Sequence, residues 1–362
     1  MTDTSIDVLR QKCHGVLGEY GKYVFGYEDI GSKLLIASIA GRVCHVLAEG
    51  VPGLAKTHSM KVMSRLVTGT TFNRVQFTPD MQPKEISGAK VLDFETRKSL
   101  IEWGPVLGVN WFLADEINRA KTNTQSALLE PMAEGQVTVG GVKRQVEELF
   151  IAMATQNPIE QHGTNPLPEA QHDRFLFKLI FDYTSLDDEL MLLEHPEIGD
   201  SSIYDKIVGQ ISREELLFVR KWVNDNIYVS RVFNEYLAKV CRSTRPGQPE
   251  FIELCEKNKD AAEIMKMVKV GVSPRALQGL QRASKVQAFL FGKDPEDESK
   301  SRDYVRPADL KALAHAVLRH RIIMKEEASY RKGGAITSEQ VVDAILANVI
   351  PNDDAKAYNR VS

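Results

Sequence analysis

A chain of 362 residues, 43% hydrophobic and 26% charged, has a soluble globular composition and is too long for one ordinary core, so two domains are expected. Its formal net charge of -3 argues against bulk electrostatic capture of nucleic acid, and no membrane span is expected because Arg42 interrupts the longest apolar candidate, around Leu34–Ala48. The polar start Met1-Thr2-Asp3-Thr4-Ser5 is unlike a secretory leader, and Cys13, Cys44, Cys241 and Cys255 form no C-x-x-C pair, so a reduced, cytoplasmic setting is the expectation.

Residues 1–40 predict helix, with Ile6, Leu9, Cys13 and Val16-Leu17 on one face, a break at Tyr23–Tyr27 and a second helix ending near Gly41. Short apolar, β-rich runs follow at Val43–Ala48, Phe72–Phe77, Trp111–Ala114 and Phe150–Ala154, separated by helical or loop segments. That alternation predicts an α/β fold with a central, mostly parallel sheet. Two hairpin signals interrupt it: Val137–Arg144 around Gly140-Gly141, and Ile86–Glu102 around Glu95-Thr96-Arg97-Lys98. Each reads either as an ordinary surface hairpin or as a tool presented to a partner.

Beyond Tyr183 the pattern turns helical. Ser212-Arg213-Glu214-Glu215 is a capping box opening a helix through Trp222, and further helices are predicted at Val232–Arg242, Pro274–Phe291, Pro307–Arg319 and Ser338–Asn348. These make a smaller all-helical domain. The charged stretch Pro246–Val268 reads as an insertion carrying a solvated helix.

The chemistry concentrates in Gly50-Val51-Pro52-Gly53-Leu54-Ala55-Lys56-Thr57. It follows a strand, precedes a helix with apolar residues at 60, 63, 66 and 67, and approaches the phosphate-loop pattern G-x-x-x-x-G-K-[ST], with Ala55 in place of the last glycine. The competing reading is a Gly-Pro-Gly turn joining strand to helix, which the Lys-Thr pair disfavours. About sixty residues on, the strand Trp111–Ala114 ends in Asp115-Glu116, suited to holding Mg²⁺ and polarising water; alone, such a pair is often a solvated helix start. Asn157, at the end of another strand, could bond a γ-phosphate or the lytic water, or simply begin an Asn-Pro turn. Arg174, delivered from a neighbouring subunit, could stabilise transferring phosphate, and Arg275, from the helical domain, could couple lid closure to nucleotide; either could instead be a surface or salt-bridge residue.

Taken together, the motifs resemble those of MoxR-type AAA+ ATPases over nearly the whole length: Glu49–Leu54, Gln76-Phe77-Thr78-Pro79-Asp80, Asp115-Glu116-Ile117-Asn118-Arg119-Ala120, Thr124–Glu130, Gln136–Val139, Ala154–Pro158, Pro166–Gln171 with Asp173-Arg174-Phe175, and Ser273–Ala276. The resemblance implies an AAA+ P-loop core over 41–184 behind an N-terminal helical segment 1–40. Within the core it implies a helix-2-type insertion (about 76–106) and a hairpin before sensor 1 (about 136–145). A linker at 185–211, a helical lid at 212–352 and a tail at 353–362 complete the implied plan. It assigns Gly50, Val51, Pro52, Gly53, Leu54, Ala55, Lys56 and Thr57 to Walker A, Asp115 and Glu116 to Walker B, Asn157 to sensor 1, Arg174 to the arginine finger and Arg275 to sensor 2. It also implies ATP with Mg²⁺ held at Thr57 and Asp115, a hexameric ring, and remodelling of a protein client, often with a von Willebrand A-type partner.

The chain departs from the pattern at Ala55, at Lys121-Thr122-Asn123 and in Pro246–Val268. A left-handed backbone at Ala55 would cost about 1–2 kcal/mol, a helical one almost nothing. Its place just before Lys56 favours the helical case, and a working site is expected. Two other readings remain: a nucleotide-binding scaffold with little hydrolysis, and a DNA motor. The second is disfavoured because the 136–145 hairpin carries Lys143 and Arg144 but no aromatic stacking residue.

Overall fold

The computed structural model describes residues 3–92, 97–158, 164–294, 300–330, 334–352 and 355–359; Glu95 and Thr96 of the predicted hairpin tip, and 353–354 and 360–362 of the predicted tail, lie outside the described residues. The chain divides into two compact units, Met1–Arg220 and Lys221–Ser362.

In the first unit, helices α1 (Asp3–Tyr20) and α2 (Glu28–Ala40) lead into strand β1 (His45–Glu49) and helix α3 (Lys56–Leu66). Then come β2 (Val67–Thr68), β3 (Phe72–Gln76), α4 (Lys84–Ser87), β4 (Gly88–Leu92), β5 (Ser99–Trp103) and β6 (Trp111–Asp115). Short helices α5 (Thr122–Ser126) and α6 (Leu129–Glu134) precede β7 (Gln136–Val139), β8 (Val142–Gln145), β9 (Ile151–Gln156), α7 (Glu169–His172) and β10 (Phe175–Ile180). Helices α8 (Leu186–Glu194) and α9 (Ile203–Lys206), the short β11 (Ile211–Ser212) and the start of α10 (Arg213–Asn226) close the unit.

Five strands form the parallel sheet in the order β10-β1-β9-β6-β3. Every residue of β6 is buried, as are the first four of β1 and first five of β9, which is why these runs read as continuously apolar. The four sequence-predicted strands are all present. The edge strand β10 was not among them, although its run Phe175-Leu176-Phe177-Lys178-Leu179-Ile180 has the composition of one. Because the strands are parallel, their C-terminal ends share one rim, where Glu49 pairs with Gln156 and Gln76 with Asp115. In open parallel sheets that rim is where ligands bind.

The opposite end is clamped by His45. Its Nε2 lies 2.9 Å from the Met132 carbonyl and its Nδ1 accepts the Ala152 N–H at 3.1 Å, so the buried imidazole ties β1 to both α6 and β9. Burial pushes its pKa down from 6.5 to about 4. The unfolded chain therefore takes up a proton that the folded chain refuses. The His45 contribution is complete above pH 6.5 and is lost as pH falls towards 4, about 3 kcal/mol in all. His45→Asn is expected to flatten that part of the acid denaturation profile; an unchanged slope between pH 6.5 and 4 would show that His45 is not its source.

Both predicted hairpins form. In β7–β8 the turn residues Gly140 and Gly141 have φ of 56° and 83°, the left-handed pair that matches strand twist. Val137 and Val139 are buried beneath it, whereas Lys143 and Arg144 face solvent. In β4–β5, Ile101 and Trp103 pack against the same core cluster.

The second unit is helical: the end of α10, then α11 (Arg231–Arg242), α12 (Pro249–Lys257), α13 (Lys259–Met265), α14 (Pro274–Phe291), α15 (Pro307–Leu318) and α16 (Ser338–Asn348), with a small pair β12 (Val268–Val270) and β13 (Ile323–Met324). The α10 capping box is as predicted: the Glu215 N–H donates to Ser212 Oγ and the Ser212 N–H to Glu215 Oε2. The stretch 246–268, expected as a solvated helix, instead folds as two helices with Leu254, Ala261, Ala262 and Met265 buried. Its charged residues hide a short apolar face. A buried, bidentate Arg302–Asp309 pair, both contacts 2.8 Å, fixes the start of α15.

Candidate active site

The loop between β1 and α3 is shaped by close approach. A Cβ on Gly50 would lie 2.4 Å from the Phe181 carbonyl oxygen, and the Phe181 N–H bonds Glu49 O at 2.7 Å, so only glycine lets β1 turn out beside β10 here. Gly53 has φ of 88°. Lys56 Nζ donates to the carbonyls of Gly50 and Val51 at 2.6 and 2.7 Å, which folds the ammonium into the loop. Burial lowers its pKa, against the opposing pull of Asp115 and Glu116.

Ala55 corrects the expectation of a helical backbone. It sits at φ 53°, ψ 16°, left-handed, immediately before the first residue of α3. The bend that aims the helix N-terminus into the loop has to be made at this residue, whichever side chain it carries. Ala55→Gly relieves about 1–2 kcal/mol of strain and costs about 0.4–1 kcal/mol in unfolded-chain entropy. The expected result is a stabilisation of up to about 1.6 kcal/mol in denaturant melts, with only a modest change in ATP turnover. A turnover that rises from nothing to robust would mean that Ala55 silences the loop.

Asp115 and Glu116 end β6 beside it. Asp115 is 7% exposed: Oδ2 accepts Arg74 Nε and Nη2 at 2.9 and 2.7 Å, and Oδ1 accepts the Thr155 hydroxyl. That same Thr155 oxygen accepts the Glu116 N–H at 2.8 Å. Glu116 is itself left-handed, φ 54° and ψ 47°, and its Oε2 meets Gln76 Nε2 at 2.6 Å and Arg119 Nε at 2.9 Å. Strained backbone at non-glycine residues costs free energy, and two such residues flank this one site. Asn157, after β9, is buried, and its carbonyl accepts Asn118 Nδ2 at 3.4 Å.

These groups enclose a cavity of about 390 Å³, lined by residues 52–58, Asp115, Glu116, residues 155–157 and Tyr204. That volume lies within the usual range for small-molecule sites. His58 Nε2 is 2.8 Å from the Tyr23 carbonyl, which requires the proton on that nitrogen, and so Nδ1 accepts from the Tyr204 hydroxyl at 2.8 Å. Burial lowers the His58 pKa.

The structure thus brings Pro52–Thr57, Asp115, Glu116 and Asn157 together, with Gly50 and Val51 forming the root of the loop. Arg174 does not line this cavity: it lies just before β10, where Phe175 pairs with His45, and donates to the Ala170 carbonyl at 3.0 Å. Arg275 belongs to the second unit, in the first turn of α14, its N–H donating to Ser273 Oγ at 3.1 Å.

Residues 45–177 match the family described as ATPases associated with various cellular activities (AAA), and residues 261–345 match the AAA lid domain. The chain is 36% identical to the uncharacterised protein YeaC of Bacillus subtilis, covering 94% of this chain and 96% of that one. It is 35% identical to Chaperone MoxR1 of Mycobacterium tuberculosis, covering 91% and 80%. The chain belongs to the MoxR family of AAA+ ATPases. A solved structure of a Cytophaga hutchinsonii protein assigned as an ATPase superposes on this MoxR-family chain with a TM-score of 0.80 and 33% identity, covering 97% of this chain and 98% of that one.

The donor set of this MoxR-family site suits a nucleotide with Mg²⁺: a backbone loop and an ammonium for phosphate, and the hydroxyl of Thr57 with the carboxylate of Asp115 as hard oxygen donors in the same cavity. Sequence reasoning missed Arg74 and Thr155 as partners of the acid pair. Nothing local marks them. They meet Asp115 only because β3 and β9 flank β6 in the sheet.

Proposed function

We propose that this chain is a Mg²⁺-dependent ATP hydrolase that works as a homo-oligomeric, hexameric ring to remodel, mature or assemble a protein client. The observation that carries the proposal is the convergence of Lys56 and Thr57 with Asp115 and Glu116 on one cavity. In this reading residues 50–56 bind the ATP phosphates, Thr57 and Asp115 hold Mg²⁺, and Glu116 takes the proton of the attacking water while Asn157 orients it. Bound Mg²⁺ supplies neutralisation of the phosphate charge. Arg174 is the finger given to the next subunit's ATP, and Arg275 reports nucleotide from the lid, with 41–184 as core and 212–352 as lid.

Two relatives carry the name MoxR and a third Chaperone MoxR1, which supports the client-remodelling role. A von Willebrand A-type protein is the partner we expect, and nucleic acid is disfavoured by the slightly acidic chain. Among the described residues no helix is long and apolar enough to cross a membrane, and a cytoplasmic site of action is our reading.

The test is nucleotide-dependent retention. A Glu116→Gln chain loaded with ATP should elute at the mass of six 40.6 kDa chains together with its client, and release the client when ADP replaces ATP. A monomer in both nucleotides, or a client held equally by both, contradicts the proposal.

A further inference from the structure

Both oxygens of the proposed Mg²⁺ carboxylate are engaged by protein groups. Arg74 closes a fork on Asp115 Oδ2 through Nε and Nη2 at 2.9 and 2.7 Å, and the Thr155 hydroxyl bonds Oδ1. A carboxylate this deeply buried needs compensating positive charge; the Lys56 ammonium contributes from across the cavity, and Arg74 is the cation in direct contact. Arg74 stands on the edge strand β3 and half of its side chain faces water, so it can leave Asp115 without disturbing packed neighbours. Its Nη2 also donates to Gln76 Oε1 at 2.8 Å, and Gln76 in turn holds Glu116. One arginine is therefore joined to both acids, directly to the first and through Gln76 to the second.

We propose that Arg74 is a positioning residue that occupies the place of the divalent cation at Asp115 and thereby sets the Mg²⁺ concentration at which the nucleotide site loads. The proposal rests on the Mg²⁺-ATPase reading above. A guanidinium and a divalent cation cannot both draw fully on one carboxylate, because their mutual repulsion at a few ångströms in a partly buried site is large. Loading Mg²⁺ with nucleotide would then weaken the Arg74 fork.

The test is a Mg²⁺ titration of fluorescent-ADP binding to the full chain, comparing the unsubstituted protein with Arg74→Ala and Arg74→Lys. Removing the competing charge should lower the Mg²⁺ midpoint by about three- to tenfold in Arg74→Ala, with Arg74→Lys between the two. In EDTA without nucleotide, Arg74→Ala should melt below the unsubstituted chain and recover more of its melting temperature than that chain does when Mg²⁺ is added. If Arg74→Ala does not fold, Arg74→Lys and Arg74→Gln carry the same comparison. An unchanged or raised midpoint overturns the role of Arg74 while leaving the ATPase reading intact, provided binding still depends on Lys56. Absence of any Mg²⁺-dependent nucleotide binding by the unsubstituted chain would overturn the ATPase reading and this proposal with it.

Discussion

Glu116→Gln is expected to bind ATP as the unsubstituted chain does and to lose turnover by about 10²- to 10⁴-fold, the usual worth of a positioned general base. Binding should survive because, in the proposed reading, the phosphate contacts come from the loop and Lys56 and not from Glu116. Turnover is lost because the carboxamide cannot accept the water's proton, although it keeps the shape of the carboxylate. The backbone supports this division of labour. Glu116 is left-handed, its N–H bonds the Thr155 hydroxyl oxygen, and its side chain lines the cavity beside that of Asp115. Isothermal calorimetry for ATP and a phosphate-release assay read the two halves of the prediction separately. Undiminished turnover would remove Glu116 from the chemistry.

Arg174→Ala is expected to lower turnover by about 10³-fold, the scale of a missing arginine finger, without weakening ATP binding to its own loop. The sheet register is the reason this effect is expected to cross between subunits. Arg174 precedes Phe175, which pairs with His45 at the start of β1, whereas the phosphate loop leaves the end of β1 at Glu49, opposite Ile180. On β10 Phe175 and Ile180 are five residues apart, roughly 16 Å at the rise of a parallel strand. An arginine side chain at the far end of β10 does not span that distance to the end of β1 from which the loop leaves. Mixing Arg174→Ala with Lys56→Ala, which keeps its own Arg174, should therefore restore part of the activity by pairing an intact loop with an intact finger. No recovery at any mixing ratio would contradict a shared site.

Much of this architecture is legible in the sequence because its causes are local. The α10 capping box and the prolines opening α14 and α15 mark helix starts by their own hydrogen-bonding chemistry, and the glycine pair 140–141 marks a turn by its φ angles. Asp115, Glu116 and Asn157 are legible because each stands at or just past the end of a strand, and Lys56 and Thr57 because they open the helix after the glycine-bearing loop; parallel strands deliver their ends to one rim. What the sequence conceals is set by pairing at a distance. The backbone angle of Ala55 is imposed by how the loop must meet α3, and a tetrapeptide has no means of announcing it. Arg74 sits in a strand forty-one residues before Asp115, and only the β3–β6 register brings the two into contact. The 246–268 stretch misleads because its charges outnumber the few apolar residues that it buries.

The central claim is that the loop Gly50–Thr57, with left-handed Ala55, is a working phosphate site in a hydrolytic centre. Steady-state phosphate release from Mg²⁺-ATP by the purified unsubstituted chain, measured beside Lys56→Ala, tests it most directly. The account predicts release that saturates with ATP, stops when EDTA is added and is absent from Lys56→Ala. Release no faster than that of Lys56→Ala would contradict it.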